Sequence, residues 1–147
     1  MAKLIVSHSQ RQTGHEPYMI QSIRRSVTCV EGLMSLFLYE YKETYEEALG
    51  MGYVTWIDET LGLKTIAKRL RDIPDEAPLF ERYMAILRSI HFFSEMELSI
   101  YEEEMKAWIG SSPAMKQKAI GDSYLKRNEF ITAILFYERS IALEAHF

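Results

Sequence analysis

The reading of this chain turns on one stretch near its end, Ala114-Met115-Lys116-Gln117-Lys118-Ala119-Ile120-Gly121-Asp122-Ser123-Tyr124-Leu125-Lys126-Arg127-Asn128-Glu129-Phe130-Ile131-Thr132-Ala133-Ile134-Leu135-Phe136-Tyr137-Glu138-Arg139-Ser140-Ile141-Ala142-Leu143. Gly110-Ser111-Ser112-Pro113 breaks the chain just before it. The pattern predicts two short helices, over 114–126 and 129–144, joined tightly at Arg127-Asn128. Gly121 and Ala133 are small enough to let two antiparallel helices approach closely. Tyr124 and Tyr137 would fill the space beside that contact, Phe130 would close the turn end, and Ser140 would sit at a tight crossing.

This arrangement resembles the tetratricopeptide repeat. That repeat carries Leu-Gly and then Tyr in its first helix, and Ala, an aromatic and another small residue in its second. Ile120-Gly121, Tyr124, Phe130, Ala133, Tyr137 and Ser140 stand in those places. Gln117 stands where the family often has tryptophan, and Ala145 where a proline usually ends the second helix. The resemblance covers residues 114–147. It implies binding of a peptide or partner protein on the face lined by the first helix, which here is Met115, Lys118, Asp122, Leu125 and Lys126. Some members clamp a partner's C-terminal carboxylate with lysine and asparagine. Lys118 and Lys126 could serve, but Asp122 stands where an asparagine would help and would repel a carboxylate. Upstream, Tyr39, Tyr45 and Ala48 repeat the spacing of Tyr124, Phe130 and Ala133, with Leu36 in place of the glycine and Gly52 in place of Tyr137. A degenerate second copy and an ordinary helical hairpin both account for that spacing.

Outward from this stretch, the chain again reads as helix. Residues 1–15 form a loose N-terminal tail, with Lys3–Val6 a possible short strand and Ser7–His15 a polar loop. A first helix is expected from Pro17, through Tyr18, Met19, Ile23, Val27, Val30, Leu33, Met34, Phe37 and Leu38, to a glycine cap in Gly50-Met51-Gly52. Tyr53–Ile57 has strand-like content, but the residues after it are helical. A helix is therefore expected over 53–72, broken near Gly62 and ended by Pro74. The next is expected over 78–109, with a break near Ser94. The fold class is all-α, a helical bundle of about five to seven helices, in one domain spanning 1–147.

Composition bounds the function. The 147 residues are 48% apolar and 26% charged, which argues against global disorder. A net charge of −4 is not the basic footprint of a nucleic-acid binder and gives no general attraction to anionic membranes. The single cysteine, Cys29, lies among apolar residues and reads as a small buried hydrophobe. The opening Met1–Val6 run is too short for a signal peptide, and no apolar run approaches a membrane span. The expected compartment is the cytoplasm.

No constellation commits the chain to chemistry. His8, His15, His91 and His146 share no metal-ligand spacing, and no Glu-x-x-His pair occurs, so no metal and no cofactor is expected. The acidic groups Glu40, Glu43 and Glu47, and Glu95 to Glu104, read as solvated faces. A basic stripe of Lys64, Lys68 and Arg71, with Arg69 beside it, is the candidate for nucleic-acid contact and equally a solvated helix face. Three functions remain in play. The first is a non-enzymatic adaptor or regulatory subunit that binds another protein and is able to self-associate. The second is a helical subunit of a nucleic-acid complex. The third is an enzyme or small-ligand sensor, which needs real strands at 3–6 and 53–57.

Overall fold

The computed structural model describes residues 15–144. The expected strand at 3–6 and residues 7–14 of the expected loop lie outside them. Among the described residues the fold is all-α apart from one two-stranded hairpin. The order is β1 (Tyr18–Ile20), β2 (Arg25–Val27), α1 (Val30–Tyr39), α2 (Tyr41–Gly50), α3 (Tyr53–Thr55), a π-helical turn (Trp56–Thr60), α4 (Lys64–Arg71), α5 (Leu79–Arg88), α6 (Glu95–Ile109), α7 (Pro113–Lys126) and α8 (Phe130–Glu144). The chain divides between Tyr101 and Glu102, within α6, into two compact units.

The helix expected from Pro17 begins only at Val30, because residues 18–27 pair as an antiparallel hairpin. Tyr18 lies opposite Val27 and Ile20 opposite Arg25. The four-residue loop between them closes with Arg24 donating to the Gln21 carbonyl, and Arg24 takes a left-handed φ of 51°. Apolar residues at 18, 19, 20, 23 and 27 fit either period over so short a span. Tertiary partners decide between them. Ile20 and Val27 are buried, the Tyr18 ring packs against Tyr53 and Trp56, and Trp56 Nε1 donates to the Glu16 carbonyl at 2.8 Å.

The expected single helix up to Gly50 is two helices. Glu40, at φ −122° and ψ 44°, breaks it. The buried Thr44 hydroxyl donates to the Glu40 carbonyl at 2.9 Å and offsets the loss of helical partners there. α2 ends on Met51 in the left-handed region at φ 64°, so the capping residue lies between the two glycines rather than on one. Tyr53–Ile57 is helical. A π-type bond from Leu61 N–H to the Trp56 carbonyl lies in the turn that follows, and Gly62 at φ 69° makes the expected break. The expected long helix 78–109 is split at Ser89–Ser94. Ser94 Oγ accepts from Glu97 N–H at 3.0 Å while Glu97 Oε1 accepts from Ser94 N–H at 3.2 Å, a reciprocal cap that restarts the helix as α6.

The core of the first unit holds Leu33, Met34, Phe37, Leu38, Tyr53, Ile57, Leu70, Tyr83, Ile86 and Leu87. Its two fully buried tyrosines, at 0% exposure, have satisfied hydroxyls. Tyr83 donates to the Phe37 carbonyl at 2.6 Å and Tyr53 to the Ala48 carbonyl at 2.8 Å. Cys29 is a buried free thiol whose Sγ caps α1 by accepting from Gly32 N–H at 3.4 Å.

In the second unit α7 and α8 pack as an antiparallel hairpin. Ser112 Oγ caps α7 by accepting from Met115 N–H at 3.2 Å, with Pro113 at the first helical position. At the other end Asn128 turns left-handed at φ 62°. Its N–H donates to the Leu125 carbonyl, and Glu129 N–H donates to that of Tyr124. That pair of bonds closes the helix and reverses the chain.

Candidate partner-binding surface

The hairpin is built around a close approach at Gly121. A Cβ placed there would lie 2.8 Å and 2.9 Å from two ring carbons of Tyr137 and 3.2 Å from the Ala133 carbonyl oxygen. Glycine is therefore a steric requirement here, as the pairing of Gly121 with Ala133 anticipated. Further along the contact, Ser140 Oγ donates to the Ala114 carbonyl at 2.7 Å. The Tyr137 hydroxyl donates to Asp122 Oδ1 at 2.6 Å, and Lys118 Nζ donates to Asp122 Oδ2 at 3.1 Å. The Tyr137 bond, more than Lys118, holds the Asp122 carboxyl below the usual carboxylate range. The same bond raises the Tyr137 phenol.

Tyr124 stacks on Phe136 with centroids 5.4 Å apart, and the Arg127 guanidinium lies 4.3 Å over the Tyr124 ring. Phe130 does not close the turn end: it is 56% exposed. Backbone bonds at Asn128 and Glu129 close the turn instead.

Of the five expected partner-binding residues, Met115, Lys118, Leu125 and Lys126 are exposed and lie along one side of α7. Asp122 is half-buried between Lys118 and Tyr137, with both carboxylate oxygens engaged. The larger apolar surface lies on α8, which was not among the expected sites. α8 fully buries only Ala133 and Ser140. Ile131 is 87% exposed and Ile141 66%, with Phe130, Ile134 and Leu135 exposed beside them. The signal was in the sequence, since 130–143 is apolar nearly all round, and a helix of that kind is normally covered on every side.

The basic stripe on α4 is engaged internally. Asp58 receives Lys64 Nζ at 2.5 Å and Arg71 Nη1 at 2.6 Å, and those hydrogen bonds lower its carboxyl. Lys68 pairs with Asp72 at 2.9 Å, and Arg69 Nη1 donates to the Ser89 carbonyl at 2.8 Å. Each of these four cations has a partner within the chain.

Among the described residues no group of three His, Cys, Asp or Glu side chains is placed to hold a metal ion. No described helix is long and apolar enough to cross a membrane. No family model, curated protein or solved structure matches the chain.

Proposed function

We propose that this chain is a non-enzymatic interaction module, an adaptor or regulatory subunit. Its α7–α8 hairpin acts as a repeat of the tetratricopeptide type and binds another protein through its outer faces. The observation that carries the reading is the apolar face of α8, where Phe130, Ile131, Ile134, Leu135 and Ile141 all stand in water. A contiguous apolar patch of this kind marks an interaction site more often than an idle surface. Met115 and Leu125 on α7, flanked by Lys118 and Lys126, supply a second surface suited to a peptide with acidic residues. The close approach at Gly121 and the Ser140 contact support the repeat reading of the hairpin. A single buried free thiol fits a cytoplasmic setting. The nucleic-acid reading is weaker, because the stripe's cations already have partners in the chain.

The test is site-specific photocrosslinking in cells that make the chain. A photoreactive residue at Ile131 or Met115 is expected to give discrete protein adducts, and one at the exposed Glu103 is not. Absence of a discrete adduct from both Ile131 and Met115 removes the reading.

A further inference from the structure

We draw no further inference here: the strongest candidate, the exposed apolar face of α8 around Ile131, Ile134 and Ile141, belongs to the surface already described, and nothing in the structure shows what covers it.

Discussion

Gly121→Ala separates a helix that merely tolerates glycine from one that needs it. In an open helix the change stabilises by about 1 kcal/mol, because alanine loses less backbone entropy on folding. At Gly121 the new methyl would enter at 2.8–2.9 Å from the Tyr137 ring and 3.2 Å from the Ala133 carbonyl. The carbonyl belongs to the α8 backbone and moves only with the helix. The ring is held by its 2.6 Å bond to Asp122, so swinging it away also weakens a hydrogen bond to a charged group. Overpacking of this kind costs about 1–3 kcal/mol. Set against the propensity gain, a net loss of about 1 kcal/mol is expected, roughly five- to ten-fold in the opening equilibrium of the hairpin. Amide hydrogen exchange over Ala119–Ser123 reads this directly and keeps the hairpin apart from the rest of the chain, which divides into two units. The control is Tyr137→Leu. With the ring gone, alanine at 121 should become favourable, so the sign of its effect reverses between the two backgrounds. A stabilising Gly121→Ala in the native background, or the same effect in both, would refute the steric argument.

Asp122 gives the hairpin an acid limit. Its carboxyl is depressed in the folded chain, first by Tyr137 and then by Lys118, so its contribution is present above the ordinary carboxylate pKa of about 4 and is lost as pH falls through the folded value. Thermal melts followed at several acidic pH values should show Asp122→Asn flattening that decline, with Tyr137→Phe doing so in part. An unchanged acid limb in Asp122→Asn would show that the carboxylate is not held in this way. The first unit has an alkaline limit. Burial, then the Glu47 carboxylate, pushes Tyr18 up to about 12, and burial pushes Tyr53 and Tyr83 up as well. Stability is expected to be whole below the unfolded phenol pKa of about 10 and to fall as pH rises through about 12. Phenolate absorbance should then rise together with loss of helix, and ionisation of these tyrosines near their ordinary pKa with the helix intact would contradict it. Asn128→Val, forcing a β-branched residue into the left-handed region, is expected to cost the hairpin about 1–2 kcal/mol, while Asn128→Gly should be nearly neutral. Equal melting temperatures for the two would remove the turn argument. For the α4 stripe, fluorescence anisotropy with a short RNA or DNA at low salt is expected to show no salt-dependent binding, and binding that is lost on Lys68→Glu would return the stripe to consideration.

The sequence by itself determined the helical class and the α7–α8 hairpin. The punctuation Ser112-Pro113 and Asn128, together with Gly121 facing Ala133, are local signals, and local signals act through the capping and steric rules of a single helical pair. The break near Ser94 was legible for the same reason, since Ser94 and Glu97 form a capping box within four residues. What the chain did not announce lies where distant residues decide. Residues 18–27 satisfy a helical and a strand period alike, and they became a hairpin in which Ile20 and Val27 are buried and the Tyr18 ring packs on Tyr53 and Trp56, more than thirty positions on. The break at Glu40 has no glycine or proline to mark it, and at Gly50-Met51-Gly52 the left-handed position falls on Met51 rather than on either glycine. On the surface, a basic stripe that could have faced phosphates is committed to Asp58, Asp72 and the Ser89 carbonyl, and only the packing of α4 beside the π-turn brings Asp58 within reach of Lys64 and Arg71. The apolar residues of α8 were visible in the sequence as residues to be buried. That Ala133 and Ser140 alone are fully buried, leaving Ile131 and its neighbours in water, was decided by tertiary structure, because periodicity ranks the faces of a helix by their apolar content and cannot tell which of two apolar faces the rest of the chain will cover.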